Sequence, residues 1–366
     1  MDAVVLSGGG AYGAYELGVL KALFEKGTLD YAEIVAGTSV GAFNAAVLCM
    51  HGGGAEAVRR LEAIWLDRIA QTRPRTGNGV LRIRGNPLSN TAADLARDSA
   101  FLARAALRRT AAFLGSSAGF AARTLEFVDL SAFVCVEPLR RTIEQEISCE
   151  KIRNSPVQIR VITTDWERGV YRVFANGDLC PDAILASTAI PSIFPPVRFE
   201  NSTWVDGGVT MNTPLNPAVQ AGADTIHVVS LDASLHSIAA AELDNSIEAM
   251  MRTLSIAVAT AIREDMATAD WINRGLAALA RAQAGVHLSR DEVKDFTRVA
   301  AQLEERARGE LGLKPLTIHH YHPSESLGGP LGLLDLSLGA LEQLIARGRR
   351  DTLAHDCEEY ECVIPE

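Results

Sequence analysis

Several things are missing from this chain of 366 residues, and each absence narrows what it can be. No stretch approaches ~20 uninterrupted apolar residues, so no transmembrane helix is expected. The opening Met1-Asp2-Ala3-Val4-Val5-Leu6-Ser7 has neither a basic start nor a long apolar run. It therefore does not read as a signal peptide. On that reading the Asn201-Ser202-Thr203 sequon does not meet the glycosylation machinery. Six cysteines, at 49, 135, 149, 180, 357 and 362, contain no Cys-x-x-Cys pair. Their scatter fits reduced thiols in a cytoplasmic protein better than a disulfide framework. There is no excess of positive charge: the formal net charge is -10, which argues against a global attraction to nucleic acid. Aromatics are sparse, at 6%. No internal repeat or low-complexity tract is visible.

What is present is an ordinary globular composition, 48% hydrophobic and 22% charged, with abundant alanine that favours helices. The length suits one large α/β domain, read as residues 1–366, or two ordinary ones. The charge is uneven. Residues 68–123 hold Arg68, Arg73, Arg75, Arg82, Arg84, Arg97, Arg104, Arg108, Arg109 and Arg123 against only Asp94 and Asp98. A basic block in an acidic chain points either to a local anionic partner or to a solvated helical face.

Ala3–Leu6 is a short continuous apolar run, as in a buried parallel strand. Helical spacing follows over Tyr12–Lys26, stopped by Gly27. Tyr31–Ala36 reads as a second strand and Ser39–Met50 as a second helix. This alternation predicts an α/β fold: a mainly parallel central sheet flanked by helices in three layers. Glu56–Ile69 is a further helix, and Gln71–Ser89 a loop. Thr91–Phe127 is helical with a break at 115–119. Residues 68–130 thus form an arginine-rich insertion, part of a helical cap. The sheet resumes with Gln158–Thr164, paired to Val170–Phe174, then Phe199–Val205 and Thr225–Leu231. Residues 236–312 are a helical region, with long helices at 245–284 and 291–311. A closing helix lies within 333–356.

Two glycine-rich turns carry the chemistry. Gly37-Thr38-Ser39-Val40-Gly41 sits where a strand gives way to a helix, the setting a nucleophile elbow requires. Ser39 would be presented at a helix N-terminus, where free N–H groups favour developing negative charge. The competing reading is a serine N-cap beside a tight turn. Ser7-Gly8-Gly9-Gly10-Ala11-Tyr12-Gly13 is the second. Its glycines leave backbone N–H groups open, as an oxyanion hole needs. The same Gly8-x-Gly10-x-x-Gly13 satisfies a dinucleotide fingerprint, but the acid wanted at the end of the second strand is absent. A serine also needs a base. Asp206, ending a strand before Gly207-Gly208, is the best placed, though such an aspartate also commonly starts a turn.

The glycine loop, the Gly37–Gly41 elbow, the segment Ala186-Ser187-Thr188-Ala189-Ile190-Pro191-Ser192-Ile193-Phe194-Pro195-Pro196 and Asp206-Gly207-Gly208 occur in one order. Together they resemble the patatin-like phospholipase family over roughly residues 2–232, with Leu333–Thr352 similar to its closing helix. The resemblance implies a Ser–Asp dyad without histidine, with Ser39 as nucleophile and Asp206 as general base. It also implies that Gly8, Gly9 and Gly10 supply the oxyanion hole. Hydrolysis of fatty-acyl esters of phospholipids or lysophospholipids is the implied activity, with no cofactor and no metal. One departure stands out: the family's glycine loop usually carries Lys or Arg where this chain has Tyr12, which offers a ring and a hydroxyl but no charge.

Other residues offer alternative chemistries. A histidine after Asp206 could complete a triad, but none of His227, His236, His287, His319, His320, His322 or His355 has a loop signature. His319-His320-Tyr321-His322 is spaced too tightly for a helical metal pair, and no cysteine or carboxylate cluster accompanies it. A polar strand or loop is the expectation there. The stretch from Phe101 to Leu114 mixes arginines and apolar residues, suiting either a cap helix or peripheral contact with an anionic membrane. An acyltransferase or thioesterase could use the same elbow, and a non-catalytic lipid-binding protein could keep the fold without turnover.

Overall fold

β1 (Asp2–Leu6) is apolar along its length because both of its faces are covered: Ala3, Val4, Val5 and Leu6 are all fully buried. In the computed structural model, which describes residues 1–71, 78–86, 90–115, 134–191, 193–231, 246–306, 314–328 and 332–365, this strand is central. It pairs in parallel with β2 (Ile34–Thr38) on one side and β9 (Thr225–Val229) on the other. The main sheet runs β10–β9–β1–β2–β5–β8–β7, with β6 also paired to β5. Here β5 is Gln158–Asp165, β6 Val170–Phe174, β7 Val197–Phe199, β8 Ser202–Asp206 and β10 Thr317–Tyr321. The pairs from β10 across to β5 are parallel, and those of β5, β6, β7 and β8 are antiparallel. The fold is the expected α/β one, a mostly parallel sheet flanked by helices.

The helices cover the sheet through apolar faces. One layer holds α1 (Gly13–Glu25), α2 (Val40–Met50) and α3 (Ala55–Ile64), whose Leu20, Leu48 and Leu61 join the larger core cluster. The smaller cluster lies beneath α8 (Leu215–Gln220) and α9 (Ser246–Gln283), where Leu215, Ile262 and Met266 meet Val5, Ala36 and Val228. The closing helix, Leu338–Leu353, crosses α1 at two glycines. A Cβ on Gly18 would fall 2.1 Å from the Ile345 carbonyl, and one on Gly348 2.1 Å from that of Tyr15. Such backbone contact needs both side chains absent.

One expectation is corrected. Phe199–Val205 is not one strand but the hairpin β7–β8, turned at Glu200 and Asn201, both at positive φ (49° and 59°). A period-2 pattern does not register a turn whose residues are neither Gly nor Pro. The arginine-rich insertion carries β3 (Arg82–Ile83), which pairs with β4 (Val134–Cys135), and α4 (Ala92–Gly115). Its helical stretch past 115 and Arg73, Arg75 and Arg123 lie outside the described residues, as do His236 and residues 307–313 of the later helical region.

Part of the basic block turns inward. Asp98 is fully buried, and its carboxylate accepts from Arg82 at 2.6 and 3.0 Å, from Arg84 at 3.3 Å and from the Gly85 N–H at 3.0 Å. These donors outweigh the cost of burial and hold the Asp98 carboxyl below its usual range. Arg68 pairs with the buried Glu146 at 3.0 Å. Three arginines of the block thus balance buried acids, whereas Arg97 and Arg104 face solvent.

Candidate active site

The sheet brings the two candidate residues together through register. Thr38, at the end of β2, lies opposite Ile162, and Asp206, at the end of β8, lies opposite the next residue, Thr163. Positions 168 residues apart in sequence thereby meet at one point of β5. The join is fastened by side chains of the segment between them. Ser187, ending α7 (Pro181–Ser187), accepts from the Ser39 N–H at 2.9 Å and donates to the Ile162 carbonyl at 2.6 Å. The Asp206 N–H donates to the Ala189 carbonyl at 3.0 Å. Thr164 donates to the Asp206 carbonyl at 2.9 Å.

Ser39 is the only non-glycine positive-φ residue at a strand–helix junction among the described residues, at φ 56° and ψ −124°. An L-residue held there stores on the order of 1–3 kcal/mol of strain, which the surroundings must over-determine. The flanking glycines show how. A Cβ on Gly37 would lie 2.2 Å from the Gly41 carbonyl, and one on Gly41 2.4 Å from that of Leu6. The helix can therefore start directly against the end of β1. An N-capping serine turns its hydroxyl back to the first helical turn. The Ser39 side chain makes no such bond, so the strained turn presents the hydroxyl elsewhere.

Asp206 is buried, with 4% of its surface exposed. One carboxyl oxygen, Oδ1, accepts from the Gly208 N–H at 2.7 Å, the turn-starting use that such an aspartate often has. The other, Oδ2, is buried with no hydrogen-bond partner among the described residues. Burial pushes this carboxyl up to about 7, against smaller opposing contributions from the Ser39 hydroxyl and the Gly208 N–H. The Ser39 hydroxyl is near enough to exert that pull, yet its geometry falls short of a hydrogen bond, since Oδ2 is left unpartnered. Contacts of this kind commonly tighten only once substrate is bound.

The glycine loop lies across from Ser39. Gly8 approaches so closely that a Cβ there would sit 2.9 Å from the Ser39 Cβ. Its N–H is already engaged, donating to the Asn212 carbonyl at 3.2 Å, and the Asn212 amide returns a bond to the Gly8 carbonyl at 3.3 Å. No backbone bond engages the N–H groups of Gly9 and Gly10 among the described residues. Gly10 has φ 58°, and the next N–H, Ala11, is tied to the Leu333 carbonyl at 2.8 Å. Tyr12 packs its hydroxyl end toward Gly332, where a Cβ would lie 2.4 Å from the phenol oxygen. The loop is thus braced from the segment leading into the closing helix.

Ser39 opens into a cleft of ≈ 580 Å³, counted to its open mouth. Its walls include Phe43, Trp65, Val80, Leu139, Ile190 and Phe194, with Gly10 beside the serine. Among the described residues no histidine lines this cleft or bonds to Asp206. His227 lies in β9, stacked on His319 at 5.3 Å. Behind the elbow, Glu16 is fully buried and accepts from the Asn44 amide at 2.8 Å, while Trp65 donates to the Asn44 carbonyl oxygen at 2.9 Å. Burial raises the Glu16 carboxyl well above its usual value, against smaller opposing contributions from the Asn44 amide and the Ser7 backbone.

The family described as Patatin-like phospholipase matches residues 4–219, more than half the chain, running from within β1 to within α8. This protein belongs to that family. No curated protein matches the sequence. Among solved structures, VipD from Legionella pneumophila is similar at TM-score 0.40 and 13% identity, over 96% of this chain and 66% of that one. This patatin-like chain thus spans slightly less than two thirds of that relative.

Sequence reasoning gave Ser187 no role, although its segment was legible, because a serine bonding two backbones leaves no pattern. It also set aside the histidines of β10 for lack of companion cysteines. That is corrected: folding places Cys357 and Cys362 beside His319, joined by His355. The partners lie near the C-terminus, 38 and 43 residues from His319, beyond the reach of a spacing rule.

Proposed function

We propose that this patatin-like protein is a serine acyl hydrolase that cleaves fatty-acyl esters of phospholipids or lysophospholipids through a Ser–Asp dyad. One observation carries the reading most of the way. A strained Ser39 shares its end of the sheet with a buried carboxyl whose Oδ2 has no partner, at the head of an apolar cleft.

Asp206 Oδ2 takes the proton of Ser39 Oγ as that oxygen bonds to the acyl carbon. The carbonyl π pair moves onto the oxygen. Charge on that oxygen is met by the Gly9 and Gly10 N–H groups and the N-terminus of α2; Gly8, already bonded to Asn212, braces the loop. Collapse breaks the ester C–O bond, and Asp206 returns its proton to the departing alcohol. Water then attacks the acyl-enzyme, giving its proton to Asp206, and fatty acid leaves as Ser39 regains a proton. A carboxyl raised to about 7 suits this exchange, since it gives and takes a proton near neutrality.

The cleft walls suit an acyl chain, whose transfer from water contributes roughly 0.8 kcal/mol per buried CH2. The exposed Arg97 and Arg104 with Leu107 on α4 suit peripheral contact with an anionic lipid surface. The test is fatty-acid release from mixed phospholipid and lysophospholipid vesicles. Release by the parent protein, lost in Ser39→Ala, supports the reading. Vesicle binding without release by either protein overturns it.

A further inference from the structure

Far from Ser39 in sequence, four ligand-type side chains converge where the C-terminal segment meets the edge of the sheet. They are His319 on β10, His355 just past the closing helix, and Cys357 and Cys362 in the tail. Their ligand atoms all lie within 4.8 Å of one another. Cys357 Sγ is 3.6 Å from His319 Nδ1 and 3.7 Å from His355 Nε2, and Cys362 Sγ is 3.4 Å from the same Nε2.

We propose that His319, His355, Cys357 and Cys362 form a structural zinc site. The distances carry this. With Zn–S near 2.3 Å and Zn–N near 2.0–2.1 Å, the S···N edge of a tetrahedron is about 3.5–3.6 Å. The three measured separations bracket that edge. Two thiolates and two imidazoles select zinc over hard cations such as magnesium or calcium. All four positions come from protein, so the site is closed, as structural zinc sites are. Binding releases the two thiol protons and forms two Zn–S bonds, with no redox change.

Surrounding groups fit the role. The His320 N–H donates to Cys362 Sγ at 3.3 Å, a bond that supports a thiolate. His227 stacks on His319 and fixes its ring plane. His355 presents Nε2 to both sulfurs, at 3.7 Å from Cys357 and 3.4 Å from Cys362. The tail already pairs with the edge strand, Ile318 and Val363 exchanging backbone bonds of 2.7 and 2.9 Å. The metal would fasten this tail over β10, covering the exposed edge of the sheet.

The test uses the full chain, purified under reducing conditions without chelator, with zinc measured by elemental analysis. One zinc per chain is expected, with loss in both Cys362→Ser and His355→Ala and retention in Cys180→Ser. Because the first two can fail to fold, the parent is also stripped and reloaded with cobalt(II). Tetrahedral d–d absorption with a thiolate charge-transfer band is expected. Folded parent protein that takes up neither metal overturns the site, leaving plain thiol–imidazole hydrogen bonds. So does zinc that persists in Cys362→Ser, or a Cys357–Cys362 disulfide in protein that binds no metal. Labelling of Ser39 by a fluorophosphonate reads the active site separately, so failure of one assignment leaves the other standing.

Discussion

The Ser39 N–H donates to the Ser187 hydroxyl, which in turn donates to Ile162, so one side chain ties the elbow to the strand that also pairs with Asp206. Ser187→Ala removes the partner of the buried Ser39 N–H at a strained turn and one donor to the Ile162 carbonyl. Each such loss costs about 1–3 kcal/mol. Fatty-acid release should fall about 10- to 100-fold in kcat/KM while the protein stays folded. Because Ser187 positions Ser39 and does not exchange the proton, the pH profile should keep its shape. A shifted profile would show that Ser187 takes part in proton transfer.

As the proposed general base, Asp206 must be ionised to accept the Ser39 proton. With its carboxyl raised to about 7, kcat/KM should climb with pH and level off above about 7. The effect on stability has the opposite sign. A carboxyl whose folded pKa exceeds the unfolded value holds its proton better when folded, so stability drops as pH rises from 3.8 towards 7. Asp206→Asn should flatten that part of the stability curve and abolish the activity limb together. An activity limb near 4 would show an ordinary, solvated carboxylate.

Glu16 makes a separate prediction away from the chemistry. Burial raises its carboxyl well above the usual value, so the folded chain holds that proton more tightly than the unfolded chain does. Stability therefore declines as pH climbs from 4.5 towards the raised value. Glu16→Gln keeps the shape and the Asn44 contact but carries no charge to bury. Its melting temperature relative to the parent should rise as pH climbs above 4.5. A constant difference across that range would mean Glu16 stays charged in the fold.

Gly8→Ala tests the close approach of the two turns. Its Cβ would meet Asn212 Oδ1 at 2.4 Å and the Ser39 Cβ at 2.9 Å. Ser39, the proposed nucleophile, or the loop facing it has to shift, and a displacement of about 1 Å can cost on the order of 10²-fold in rate. The measured effect should fall on kcat rather than on vesicle binding.

The sheet core and the elbow were legible because their cause is local: apolar runs make buried strands, and glycines flank a turn that no other residue fits. Gly37 and Gly41 show this, since each would clash with backbone if it bore a Cβ. Strand limits at the functional end were less so. The second strand read as 31–36 is Ile34–Thr38, displaced toward the elbow, because Thr38 is held by pairing with β5 and not by its own pattern. The orphaned Oδ2 of Asp206, the engaged N–H of Gly8 and the bridge through Ser187 depend on tertiary contacts and leave no mark in the sequence. The same holds for Arg82 and Arg84: a count of charges shows a basic block, while the fold spends both on Asp98.

The measurement that bears most directly on the account is the rate at which a fluorophosphonate modifies the protein, with the adduct located by peptide mass spectrometry. The account predicts a single adduct on Ser39, forming roughly 10²- to 10⁴-fold more slowly in Asp206→Asn than in the parent. An adduct on another residue, or labelling of Ser39 at the parent rate in folded Asp206→Asn, would contradict it.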